Sequence, residues 1–149
     1  MLSQIAEAVE TTLKAAGLRF ALVDVHGQEP DREMPSPAAL IFVDSGEIER
    51  LTAESWKMSP DITVALAVKD LGREKTRRSG VSALVEGVIA ALAGQKLGLD
   101  IKAIQPLGFR NVTDKELADL GLMVFAVRFK TSYVWAKPDP EADAADLLR

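Results

Sequence analysis

The sequence predicts an α/β protein of the α+β kind: a mixed, mainly antiparallel sheet with two main helices packed on it. Three observations carry that reading. Gly121–Trp135 (GLMVFAVRFKTSYVW) alternates as only a β-strand can use, with Met123, Phe125, Val127, Phe129, Tyr133 and Trp135 on one face and Thr131 as its one polar member. Ala38–Asp44 and Ile62–Val68 are short apolar runs of the kind that fill central strands. Two further segments, one beginning near Ser3 and one near Ser79, place their apolar residues at helical spacing.

Taken in order, Ser3 is the expected N-cap of a helix carrying Ile5, Ala8, Val9, Thr12, Leu13 and Ala16 on one face, with Gly17 closing it. Leu18–Val25 reads as a strand, followed by a polar break through His26, Gly27 and Pro30 that extends to Pro37. Ala38–Asp44 follows, and Asp44, Ser45 and Gly46 read as a turn into a weak second hairpin arm at Glu47–Thr52. After a polar stretch with Trp56 and Pro60 comes the strand Ile62–Val68, whose second face, Thr63, Ala65 and Ala67, is small enough for a helix to pack on. Lys69–Gly80 reads as a charged, mobile loop, and Ser79 as the cap of a helix through Val81, Leu84, Val85, Val88, Ile89 and Leu92. Leu97–Gln105 reads as a strand ended by Pro106, and Thr113–Leu120 as a short helix opened by a Thr113–Glu116 capping box.

The Gly121–Trp135 strand is long for its chain. Fifteen residues at roughly 3.3 Å each span about 50 Å, whereas a domain of this length is about 40 Å across. It therefore bends or projects, and a projecting strand bearing Tyr133 and Trp135 calls for another chain to cover the rings. Its second face turns polar at Arg128, which marks Arg128, Lys130, Tyr133 and Trp135 as a candidate subunit interface. Ordinary core edge is the alternative for Trp56, Tyr133 and Trp135. No linker or repeat divides the chain, so residues 1–137 read as one domain and 138–149, acidic with two prolines, as a flexible tail.

Composition narrows the function classes. The net charge of −4 and a pI near 5.1 argue against general affinity for nucleic acid or anionic membrane. Cysteine is absent, which removes disulfides and thiolate metal sites. The N-terminal stretch has no basic leader and no apolar run long enough to span a bilayer, so a soluble, non-exported chain is expected. His26 is the lone histidine, in a polar break with no nucleophile motif beside it, and reads as a turn residue rather than a catalyst. Carboxylates are scattered without EF-hand spacing, and no glycine pattern cradles phosphate. No catalytic residue, cofactor or metal is therefore expected. The basic run Lys69, Arg73, Lys75, Arg77 and Arg78 can be a solvated loop, a docking element for an acidic protein surface, or a nucleic-acid contact.

The order of PSPAALIFV, ITVALAV, GVSALVEGVIAALAG, LGLDIKAIQPLGFRNVTD and VFAVRFKTSYVW resembles the Mu-like prophage tail proteins, the family containing the Mu protein encoded just before the tail sheath. The resemblance covers nearly the whole chain and is most specific from Arg77 to Trp135. Such proteins are similar in size and element order to lambda-type tail terminators, which implies a tail-terminator-like fold and a hexameric ring at the head-proximal end of the tail. It further implies an assembly role without catalysis, made in the bacterial cytoplasm and carried in the virion tail. The partners would be further copies of the chain and tail tube, sheath or head-joining proteins, with no direct nucleic acid and no membrane. The competing class is a small non-catalytic ligand-binding or regulatory α/β domain.

Overall fold

In the computed structural model, residues 1–25, 27, 29–31, 33–69 and 74–138 are described, with side chains from Gly80 onward in the last stretch. His26 and the segment 139–149 lie outside the described residues. The elements run α1 (Leu2–Ala15), β1 (Leu22–Asp24), β2 (Ala38–Arg50), β3 (Ser55–Lys69), α2 (Glu74–Leu92), β4 (Gln105–Asn111), α3 (Lys115–Asp119), β5 (Leu122–Lys130) and β6 (Tyr133–Ala136). The sheet order is β1-β2-β3-β5-β4, with β6 paired to β3 beyond the end of β5. Among the described residues only β1 pairs in parallel, with β2; the other ladders are antiparallel, so the mixed, mainly antiparallel α+β fold is as the sequence indicates.

Both main helices cover one face of the sheet. Ile5, Val9 and Leu13 of α1 and Val81, Val85, Val88 and Leu92 of α2 meet Ala39, Ile41, Ile62, Val64, Leu66, Val127 and Phe129, with Phe125 packed alongside. The spacing of four, three and four residues along α2 is what aims one stripe at the strands. The small face of β3 is covered differently from expectation. Ala65 and Ala67 pack with Met34, Ala38, Leu40 and Val124, and Leu117 of α3 reaches the same cluster.

Several boundaries differ from the sequence reading, each for a local reason. The first helix starts at Leu2 with Met1 in the cap position and no side-chain cap bond, so Ser3 lies inside it, while Gly17 is left-handed (φ +70°) as expected. Arg19 is also left-handed (φ 59°) and shortens the expected Leu18–Val25 strand to β1. Lys69–Gly80 is not a loop throughout, because α2 begins at Glu74. Glu, Lys and Arg are good helix formers, so the charged run from Glu74 continues the helix, while residues 70–73 lie outside the described residues. Left-handed Leu97 and Gly98 (φ 56° and 70°) break the expected strand at Leu97–Gln105. That stretch is a pinned loop, with Ile101 and Ile104 buried and the Ile104 amide donating to the Gln95 carbonyl at 2.9 Å. Strand β4 begins where that strand was expected to end, and Pro106 is tolerated because β4 is an edge. Asp114, rather than Thr113, caps α3, its Oδ1 accepting from the Leu117 amide at 2.9 Å. Thr113 instead bridges to β5, where its hydroxyl accepts from the Val124 amide at 2.9 Å.

The largest departure is the hairpin. Asp44–Gly46 does not turn the chain; the register shifts between Phe42 and Ser45, and β2 then runs on to Arg50. The turn falls at 51–54, where the Leu51 amide donates to the Ser55 carbonyl at 3.0 Å. Gly46 serves a close approach of backbones: a Cβ there would lie 2.7 Å from the Ser59 carbonyl oxygen and 2.8 Å from Pro60 Cα. The chain's longest strand is thus β3, of 15 residues, and the polar stretch around Trp56 and Pro60 belongs to it.

Candidate functional site

The Gly121–Trp135 alternation is divided at Thr131 and Ser132 into β5 and β6, and both halves pair with β3. Thr131 explains itself at this break. It is 4% exposed, and its hydroxyl donates to the Lys102 carbonyl while the Lys102 amide donates to the Ser132 carbonyl. One buried hydroxyl therefore ties the loop before β4 to the bend of the strand.

Beyond that bend, Ser45–Arg50, Ser55–Asp61 and β6 form a three-stranded arm. Register places Trp56 opposite Trp135 and Arg50, and Met58 opposite Tyr133 and Ile48. Because cross-strand partners share a face, these side chains all stand on the face that carries the helices. The N-terminal turn of α1 closes one side, with Met1 and Leu2, and the result is an open apolar groove of about 580 Å³. Trp56 and Trp135 touch across the strands, with centroids 5.6 Å apart and planes tilted by 46°, an arrangement worth about 0.5–1.5 kcal/mol beyond the area buried. Tyr133 is buried at the floor, and burial pushes its phenol pKa above the ordinary value. Trp135 stays 45% and Ile48 67% exposed. No charged side chain lines the groove among the described residues.

The four residues marked as an interface thus separate onto two faces. Tyr133 and Trp135 belong to the groove. Arg128 and Lys130 stand on the opposite face, where Arg128 is exposed and Lys130 pairs with Glu47 at 3.4 Å. This exposed pair adds little stability, about 0–1 kcal/mol. Beside it, Lys57, Lys102 and Lys130 line a recess of about 430 Å³ with Ser59, Leu107, Thr131 and Ser132. The basic run is not assembled into one loop: Lys69 ends β3, Lys75, Arg77 and Arg78 belong to the first turns of α2, and Arg73 lies outside the described residues. Ile48 and Met58 were missed as groove residues. Their only signal was alternation through Glu47–Arg50 and Ser55–Asp61, diluted by the charges of the exposed face. Among the described residues, no group of three or more His, Cys, Asp or Glu could hold a metal ion, and no helix is long and apolar enough to cross a membrane.

Comparison with known proteins bears on this arrangement. No curated protein matches the chain. Among solved structures, a chain from a structure described as "Virion of native gene transfer agent (GTA) particle" superposes with a TM-score of 0.59 at 15% identity, covering 85% of this chain and 92% of that one. At such identity the likeness is one of fold. The sequence itself matches the family described as "Bacteriophage Mu, Gp37" over residues 1–134, a span that takes in α1 through most of the arm. By that match across nearly its whole length, the chain belongs to the Bacteriophage Mu Gp37 family.

Proposed function

We propose that the protein is a structural, non-catalytic component of a phage or prophage tail, forming a ring at the tail's head-proximal end and offering the surface to which the head joins. Family membership supports the phage assignment. The shared fold with a chain of a virion particle supports a place in an assembly. The observation that carries the ring is the arm, which holds Trp135 and Ile48 half-exposed around an apolar groove instead of folding them into the core. Side chains of that size left in water are an interaction surface. Tyr133 and Trp135 are its anchors, whereas Arg128 and Lys130 stand on the opposite face of the sheet and take no part in the groove contact.

The test is made in an inducible prophage. A tube that is never capped continues to polymerise and has no docking face, so deletion of the gene should give headless tails of irregular length, restored by the gene in trans. Purified particles should also contain the chain by mass spectrometry. Normal particles from the deletion strain, or particles without the chain, would overturn the reading in favour of a small binding module.

A further inference from the structure

We propose that segment 139–149 of the chain folds back over the groove of its own subunit, seating Leu147 and Leu148 there and shielding the arm until an assembly partner displaces it. The shield rests on the ring reading for what displaces it, and on the surroundings of the groove for its geometry. A lone subunit needs such a cover. Trp135 is 45% and Ile48 67% exposed, and register sets both on the same face of the arm. Large apolar groups gathered in one patch favour any arrangement that takes them out of water.

The chain delivers a cover to the right place. Strand β6 runs outward along the arm, and just past it the Lys137 amide donates to the Glu54 carbonyl at 2.8 Å. The chain therefore leaves the arm two residues after Trp135. From Lys137 back to Tyr133, at the floor of the groove, is four residues of strand, roughly 13 Å. Leu147 and Leu148 lie ten and eleven residues beyond Lys137, with about 33–36 Å of extended chain to draw on. Reach is more than twice the need, which leaves length for the reversal. A tether this short holds the leucines near the groove at an effective concentration of about millimolar, so a second copy must compete with them.

Charge favours the same occupant. No charged side chain lines the groove among the described residues, but both of its ends are positive. At the tip of the arm Arg50 lies opposite Trp56 and shares the groove face, whereas Glu47, Glu49 and Asp61 stand on the other face. At the opposite end is the first turn of α1, which has no acidic residue and no side-chain cap, so its amides present the positive pole of a 14-residue helix. Segment 139–149 brings Asp139, Glu141, Asp143 and Asp146 against the single Arg149. An apolar pair carried in an acidic segment thus meets an apolar groove between two positive ends, while two grooves laid face to face would set like charges together. The segment lies beyond the span of the family match, so the shield stands or falls apart from the family assignment.

The experiment uses the full chain at concentrations where sedimentation gives single copies, and compares the parent with Leu147→Ser/Leu148→Ser. Tryptophan emission reads the groove directly, because the chain's two tryptophans both line it. Emission of the parent should lie to the blue of the variant's and be harder to quench with acrylamide, and neither difference should change on dilution. With its groove uncovered, the variant should also self-associate at lower concentration than the parent. Asp143→Asn/Asp146→Asn keeps both leucines and should give a smaller red shift, which fades as salt rises. Identical emission and quenching in the parent and the leucine variant would overturn the shield. A difference that disappears on dilution, or a parent with no single-copy range, would overturn it as well, because neighbouring copies would then cover the groove. Equal emission alongside headless tails from the deletion strain would leave the ring reading standing without the shield. The emission difference alongside normal tails would keep the shield and remove the tail role.

Discussion

Leu92 sets the stability of the joint between α2 and the sheet. It is fully buried in the cluster formed by α1, α2 and the helix-covered face of the strands. Leu92→Ala removes three carbon groups, about 2.4 kcal/mol at roughly 0.8 kcal/mol each, and leaves a cavity, so the whole cost should lie within about 2–5 kcal/mol. For a chain of 149 residues, each kcal/mol lowers the melting temperature by about 2–4 °C, giving a drop of about 5–20 °C. Urea unfolding followed by far-UV circular dichroism reads the change as a lower midpoint at constant slope. Val134→Ala, at a 64% exposed position, is the control and should stay within about 0.5 kcal/mol of the parent. A Leu92→Ala midpoint equal to that of the control would refute the packing of α2 described above.

Gly46→Ala should destabilise by about 1–3 kcal/mol by overpacking, because its Cβ would meet the β3 backbone at 2.7 and 2.8 Å; an unchanged urea midpoint would show that the two strands part freely. Thr131→Val keeps the shape but leaves the Lys102 carbonyl without its side-chain donor, at a cost of about 1–3 kcal/mol. Thr131→Ser should recover part of that loss, and equal midpoints for Val and Ser would sink the assignment. Burial raises the Tyr133 pKa above 10.0, so the folded state holds the phenol proton more tightly than the unfolded chain does. Stability from this group is therefore complete below about pH 10 and declines as pH rises through the raised value. Chemical denaturation across that window should show the decline in the parent and a smaller one in Tyr133→Phe; identical curves would remove Tyr133 as the cause.

What could be read from the sequence were the elements whose pattern and environment agree. Ile5, Val9 and Leu13, and Val81 to Leu92, face one core, so helical spacing found them, and Ile62–Val68 was clear because both its faces are covered. The arm was hidden because its environment is mixed: one face is a groove and the other is charged, and tertiary pairing, not local propensity, holds Glu47–Arg50 and Ser55–Asp61 as strands. Asp44-Ser45-Gly46 has the composition of a turn but is used for a shift in register and a close backbone approach. Pro106 reads as the end of a strand because an edge position cannot be seen in one dimension. Thr131 was the visible sign that the long alternation is interrupted, and Tyr133 and Trp135 were found by that alternation. Their groove partners Trp56, Met58 and Ile48 come from two other strands and meet them only through register. The family resemblance, carried by wording along the chain and not by any site, holds over residues 1–134.

That β3 is shared, with β5 gripping one half and β6 the other while β2 runs along its opposite side, gives the arm a mechanical character. A pull on its tip along the strands loads the ladders beside β3 lengthwise, so many hydrogen bonds bear the force at once and none can be peeled singly. Tension on the arm is delivered into the helix-covered half of the sheet, where the buried side chains of the main core lie. A sideways pull on β6 meets no such resistance, because its four residues can unzip in sequence. The protein is thus stiff along one axis and yielding across it.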